Sequence, residues 1–282
     1  MIIGIVTTSD LPEPDVDEPL LQAALTEAGL EWRMVPWDNP GDVRNHLLVV
    51  RSPWDYPWHR NAFLNWLDEA AQVAEILNPA STIRWNHHKS YLRDLASDGV
   101  HVVPTQFFNA EVPLPPSWDL DSDRVVIKPC VSAGSWMTRA FDAQDPSGFD
   151  FALEIQALAM QGLCGDVMVQ PYFESIHTVG ERSLIWIDGS VTHAIIKSPR
   201  FADDHESVSS AVEPTAEEIA LVDRLMHARA NHLYARIDLM QDSSGKWCLS
   251  ELELIEPSLF LQQNSDALHH LVKGIQKHLQ KS

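Results

Sequence analysis

The stretch CLSELELIEP, residues 248–257, alternates like a half-buried β-strand, yet it carries carboxylates at Glu251, Glu253 and Glu256. Leu252 and Leu254 fall on one face and Glu251 and Glu253 on the other, because successive strand side chains point to opposite sides. A solvated edge strand has this pattern, and so does a strand whose acidic face holds a cation. Upstream, YARIDLM (234–240) is separated from it only by the turn residues QDSSGK, and the two read as hairpin partners. An even loop pairs Arg236 with Glu251 and Asp238 with Leu249, and opposed residues share a face. Asp238 then joins Glu251 and Glu253, with Arg236 among them. Ile237, Leu239, Cys248, Leu252 and Leu254 collect on the far side. A slip of one residue would mix the sets, so their clean separation supports this register. The same alternation sends Glu256 to the far side and removes it from the candidate ligands.

Three carboxylates within about 5–8 Å of one another repel unless a cation neutralises them. Mg²⁺ suits the task, since it takes oxygen ligands and bridges one or two carboxylates to substrate phosphates. The alternative is a solvated face with Arg236 as an ion-pair partner, and spacing alone leaves both readings open.

The composition narrows the classes. The 282 residues are 45% hydrophobic, enough for a substantial core in two or three lobes. A net charge of −20 disfavours nucleic acid, which needs clustered Lys and Arg. No apolar run approaches the roughly 18 residues of a membrane span. MIIGIVTTSD lacks a basic leader and reads as a first strand. The three cysteines are widely spaced and make neither a disulfide framework nor a zinc pattern, so a reducing cytoplasm is expected. No GxSxG or Cys-His signature is present, and the tryptophans read as packing residues.

Along the chain, IIGIVT, EWRMVPW and HLLVVRSPWDY read as strands. EPLLQAALTEAG and residues 59–75 read as amphipathic helices, and together these make a small parallel α/β layer. NHHKSYLRDLASDG reads as a helix closed by Gly99, followed by a strand VHVVPTQFF. Strands RVVIKP, MTRAFDA and VMVQPYF and a helix near 148–160 come next. ERSLIWIDGSVTHAIIK is a hairpin turned at Asp188-Gly189. FADDHESVSSAVEP reads as a mobile loop, and Thr215 with Glu218 forms a capping box. A helix from about 265 ends the chain. The expected division is 1–84, a small α/β domain; 85–172, a central and lid subdomain; and 173–282, a catalytic subdomain, the latter two forming an α+β body.

Basic residues in so acidic a chain are informative one by one. Lys128 ends a nearly all-apolar strand and faces the small-residue loop VSAGS, which suggests an anion contact; a lysine snorkelling to solvent is the alternative. Lys89 on a helix says little alone. Arg182, Lys197 and Arg200 sit at strand ends. Arg51 and Asp55 in RSPWDYPW close a strand of the N-terminal layer, where α/β sheets bind ligands. They suit a substrate's carboxylate and ammonium, or else a salt bridge within a turn.

The order of these motifs resembles the ATP-grasp superfamily: a helical lysine, VVIKP, the hinge VMVQPYF, the GERSLIWIDG…AIIK hairpin, YARIDL and ELELIEP. It is most similar to prokaryotic glutathione synthetase-like proteins, in the O-ureido-serine cyclo-ligase-like branch of cycloserine biosynthesis. The resemblance implies an ATP-grasp fold of two α+β lobes gripping ATP, preceded by the small α/β domain. It assigns Lys89 and Lys128 to the ATP phosphates. Val169, Gln170, Pro171, Tyr172 and Phe173 fall to adenine and Glu174 to ribose. Arg182, Lys197 and Arg236 take the transferring phosphoryl group, and Asp238, Glu251 and Glu253 take one or two Mg²⁺, with Mn²⁺ an admissible substitute. The family often has Asn where Glu253 stands. The loop VSAGSWM has a single glycine, and FADDHES lacks the expected arginine, which leaves Arg200 and His205 as substrate candidates. The implied activity is ATP-dependent ligation of a carboxylate to an amine through an acyl phosphate, on a small amino-acid-like substrate, with ring closure within one molecule and a homodimer both left open. The rival is a nucleotide-binding regulatory module that has lost turnover.

Overall fold

A computed structural model describes residues 1–11, 13–198, 207–229 and 231–280. Its first layer is built from β1 (Ile2–Thr7), α1 (Glu18–Glu27), β2 (Trp32–Pro36), β3 (His46–Ser52), α2 (Arg60–Ala70) and β4 (Glu75–Leu77). The strands are all parallel, in the order β2-β1-β3-β4. Parallel strands are covered on both faces, which is why HLLVVRS is buried throughout. Ile3, Ile5, Leu47 and Val49 pack on α1, and Val6, Leu48 and Val50 pack with Phe63 and Leu67 of α2. Gly4 is required by this packing, because a Cβ there would lie 2.5 Å from Leu48 Cδ2. The helix expected over 59–75 stops at Ala70, and Glu75 already belongs to β4.

Two short helices follow, α3 (Ala80–Asn86) and α4 (Tyr91–Ser97). The single helix expected across NHHKSYLRDLASDG is therefore broken, and Lys89 lies in the turn between the two. Its N–H donates to the Cys130 carbonyl at 2.8 Å. Tyr91, Leu92 and Leu95 pack with the third sheet, so this part of the segment 85–172, grouped by sequence with the second, sits against the third.

The second sheet contains β5 (Gln106–Phe108), β6 (Arg124–Pro129), β7 (Arg139–Asp142) and β8 (Val167–Pro171), in the order β5-β8-β6-β7, with α5 (Pro146–Met160) packed on it. Of the strand expected over VHVVPTQFF only β5 is regular. Pro104 interrupts it, and Val102 makes an isolated bridge to Leu249.

The third sheet joins β9 (Glu181–Ile187), β10 (Ser190–Ser198), β11 (Ser207–Val208), β12 (Tyr234–Gln241) and β13 (Trp247–Glu253), in the order β11-β10-β9-β12-β13. The turn from β9 to β10 is Asp188-Gly189, both with positive φ (46° and 99°), as a two-residue hairpin requires. One face packs Leu184, Trp186, Ile237, Leu239, Leu252 and Leu254 against α4 and α6 (Ala216–His227). At one end of the other face Ile185, Ile187 and Tyr234 pack with α7 (Ser265–Leu279), α1 and the first sheet. The rest of that face is charged. Buried Asn78 ties the first and third sheets together, donating to the Tyr234 and Leu254 carbonyls at 2.8 and 2.9 Å and accepting from Leu233 N at 2.7 Å.

Candidate active site

The β12–β13 hairpin pairs Asp238 with Glu251 and Arg236 with Glu253. This is two residues beyond the expected register, so parity survives and the three carboxylates do share a face. Nearer the turn Leu239 opposes Leu249 and Met240 opposes Cys248, because Ser250 is an extra residue at a β-bulge. The bulge moves Leu249 onto the apolar face and takes Cys248 off it. Oxygens of Asp238, Glu251 and Glu253 lie within 4.8 Å of one another.

Each of these acids meets a cation. Lys89 Nζ lies 2.8 Å from Glu251, and Lys197 Nζ lies 2.9 Å from Asp238 and 3.0 Å from Glu181. The Arg236 guanidinium donates to Asp238 at 3.0–3.2 Å and also to Glu253. Ser183 Oγ completes the ring, donating to Asp238 at 2.6 Å. Lys128 stands nearby on β6, and among the described residues it has no carboxylate within ion-pair distance. Burial pulls its ammonium pKa down, which the nearby Glu251 charge only partly offsets. Among the described residues, four cations (Lys89, Lys128, Lys197, Arg236) thus face the carboxylates of Glu181, Asp238, Glu251 and Glu253.

The acids are not equivalent. Burial alone would raise all three, but Arg236 and Lys197 hold Asp238 well below the usual carboxylate range. Lys89 and Lys128 likewise hold Glu251 down at about 2. Glu253 goes the other way, pushed up to about 7 by burial and its acidic neighbours despite Arg236. Burial and the Glu253 charge push Glu256 up to about 8. That proximity corrects the expectation that Glu256 faces away: β13 ends at Glu253, so alternation no longer governs position 256. The Glu256 carboxyl instead meets the Tyr56 hydroxyl from the first layer.

Other expected site residues are placed elsewhere. Arg182 sits beside Leu239 on the opposite sheet face, bound through two nitrogens to Glu218 at 2.7 and 3.0 Å, and is removed from the catalytic set. Ser183, one residue on, is the one that reaches the acids. Arg51 is 1% exposed, donates to the Pro257 carbonyl at 2.7 Å and lies over the Tyr234 ring. Asp55 spends both oxygens on Thr8 Oγ1 and Trp37 Nε1, each at 2.7 Å. These two residues therefore brace the first layer separately and form neither a substrate clamp nor a mutual salt bridge. Arg200 and His205 lie outside the described residues. Sequence reasoning missed Glu181, Ser183, Glu256 and Tyr56. The first two become visible once β9 is set beside β12.

The hard oxygen donors of Asp238, Glu251 and Glu253 suit Mg²⁺, whose octahedral ligand oxygens stand about 3–4 Å apart at bond lengths near 2.1 Å. Small shifts of these side chains meet that requirement.

Three comparisons bear on this arrangement. Residues 3–78 match the family described as the N-terminal domain of D-cycloserine synthetase DcsG. The whole chain is similar to the cycloserine biosynthesis protein DcsG of Streptomyces lavendulae, at 27% identity over 99% of both chains. The crystal structure of D-cycloserine synthetase DcsG superposes with a TM-score of 0.86 at 24% identity, covering 99% of this chain and 100% of that one. The chain has the ATP-grasp fold. A RimK-domain ATP-grasp protein from Sphaerobacter thermophilus shares the fold more distantly, with a TM-score of 0.66 and 15% identity over 97% of this chain and 99% of its own.

In ATP-grasp terms the cleft lies between the second and third sheets. At the hinge, Gln170 is buried and donates to Thr105 Oγ1 at 2.9 Å, Pro171 has no N–H, and the Tyr172 N–H is spent on the Arg124 carbonyl at 2.9 Å. Arg124 lies over the Tyr172 ring and bonds Glu174 at 3.1 Å. The loop 131–137 reaches the first layer through Trp136, whose ring meets that of Trp58 edge-on at 5.6 Å.

Proposed function

We propose that this ATP-grasp chain is an ATP- and Mg²⁺-dependent carboxylate–amine ligase that works through an acyl phosphate on a small amino-acid-like substrate. Both reacting groups belong to one molecule, so the product is a ring. The observation that carries the reading is the charged cleft, with three hard acids, three lysines and an arginine converging from β6, β10, β12, β13 and the α3–α4 turn. Ring closure rests on full-length similarity to the cycloserine protein.

The substrate carboxylate attacks the γ-phosphorus, the bond to ADP breaks, and an acyl phosphate forms. The amine nitrogen then attacks the acyl carbon, phosphate leaves with the bonding pair, and the amine proton passes to solvent. Such transfer needs positioning and charge neutralisation more than a protein nucleophile. Lys89 and Lys128 hold the phosphates. The hinge from Val169 to Phe173 takes adenine, and Glu174 takes ribose. Asp238, Glu251 and Glu253 would hold Mg²⁺, which would supply positive charge to the phosphates. Lys197, which keeps Glu181 at 3.0 Å, and Arg236 would meet the transferring group.

ADP release with a panel of amino acids and ureido derivatives, with and without Mg²⁺, tests the reading. Glu251→Gln is expected to stay folded and lose at least about 100-fold of the Mg²⁺-dependent rate, since metal charge stabilisation is worth several kcal/mol. ATP binding without ADP release for any acceptor would replace the ligase with the regulatory module. Unchanged turnover in the variant would refute the metal assignment.

A further inference from the structure

We propose a second metal site, remote from the ATP cleft in chemistry and independent of the ligase reading: His101, Asp242 and Cys248 form a three-ligand site for a zinc-class ion. One ligand atom from each lies within 4.8 Å of the others. The imidazole nitrogen is 3.2 Å from Asp242 Oδ2, and the sulfur is 3.8 Å from the same oxygen. Tetrahedral Zn²⁺, with bonds of about 2.0–2.2 Å to N and O and about 2.3 Å to S, sets those separations at about 3.4 and 3.6 Å. The two spacings to Asp242 already approximate those of a tetrahedral site.

The carboxylate is aimed. Asp242 Oδ1 accepts from Ser244 N at 2.8 Å, Ser244 Oγ at 2.6 Å and Lys246 N at 3.1 Å, which leaves Oδ2 turned towards the imidazole and the thiol. Outer partners of this kind orient metal ligands and sustain affinity. The backbone is equally set: Leu249 N donates to the His101 carbonyl at 2.8 Å, and Val103 N donates to Leu249 at 2.9 Å. This short parallel bridge holds His101 beside Cys248. The His101 and Asp242 side chains keep 38% and 22% exposure, a route of entry, while Cys248 is buried.

A thiol, an imidazole and a carboxylate together select a borderline-soft ion, whereas the all-oxygen face selects Mg²⁺. Binding of the ion displaces the thiol proton, which leaves to solvent. The ion would clamp the segment leading into β5, and with it the second sheet, to the hairpin that carries Glu251.

Co²⁺ titration of the full chain in excess Mg²⁺ reads this site directly. The expected result is one equivalent bound with tetrahedral ligand-field bands and a thiolate charge-transfer band, both removed by Zn²⁺. Cys248→Ser should abolish the charge-transfer band. His101→Ala, a change at a partly exposed side chain, should weaken Zn²⁺ by more than about 100-fold, beyond the loss typical of an outer partner. A wild-type spectrum without the thiolate band overturns the site, and so does a band that survives in Cys248→Ser or an unchanged affinity in His101→Ala.

Discussion

Replacing Glu218 by Gln tests the placement of Arg182. The Glu218 side chain has no exposure and that of Arg182 only 10%, with nitrogen–oxygen distances of 2.7 and 3.0 Å. The change leaves a guanidinium buried without its carboxylate, which costs about 3–5 kcal/mol. It also weakens the capping box of α6, where Glu218 accepts from Thr215 N at 2.7 Å. At about 2–4 °C per kcal/mol for a chain of this size, a loss of about 3 kcal/mol lowers Tm by about 6–12 °C. Arg182→Met should be similarly destabilised, and the double variant less so than the two losses added, because it removes both charges. The sign with pH is fixed. Burial would raise the Glu218 pKa, but Arg182 and the cap outweigh it and the net shift is downward from 4.5. Its stabilisation is therefore complete above the ordinary glutamate range and lost as pH falls through the lowered value, so the Tm gap between wild type and Glu218→Gln should close in acid. Thermal melts across pH and steady-state ADP release are the assays. If Arg182→Met kept its Tm and lost 100-fold or more in kcat/KM, the assignment of Arg182 to the far sheet face would be refuted.

Lys128→Met removes a half-buried ammonium with no ion-pair partner among the described residues, so Tm should hold or rise. Nucleotide affinity should fall about 10- to 100-fold by calorimetry, the worth of a charge-assisted hydrogen bond; the reverse pattern would end its phosphate role. Trp136→Ala breaks the edge-on contact with Trp58, worth about 0.5–1.5 kcal/mol, and should speed nucleotide escape about 2- to 12-fold in stopped flow. An unchanged release rate would mean that loop 131–137 does not retain nucleotide.

Much of the architecture was legible because it rests on period and order. Parallel strands declared themselves as apolar runs, the Asp188-Gly189 turn as a hairpin, and Thr215 with Glu218 as a capping box. The lysines were legible only as types. Lys89 read as an exposed helical residue, yet the break between α3 and α4 turns it 92% away from solvent, towards Glu251. Arg182 and Ser183 differ by one position, which in a strand is the difference between opposite faces, and no local signal says which faces the cleft.

By itself the sequence determined that Asp238, Glu251 and Glu253 share a face, since alternation depends only on parity, and a register error of two preserves it. Tertiary structure alone decided what meets those acids. Sheet order set Ser183 beside Asp238 and joined Glu181 to it through Lys197, the end of β13 freed Glu256 to turn back to Tyr56, and the Ser250 bulge delivered Cys248 to Asp242 and His101. Periodicity is a property of one segment, whereas the partners of a charge are set by packing between segments far apart in the chain.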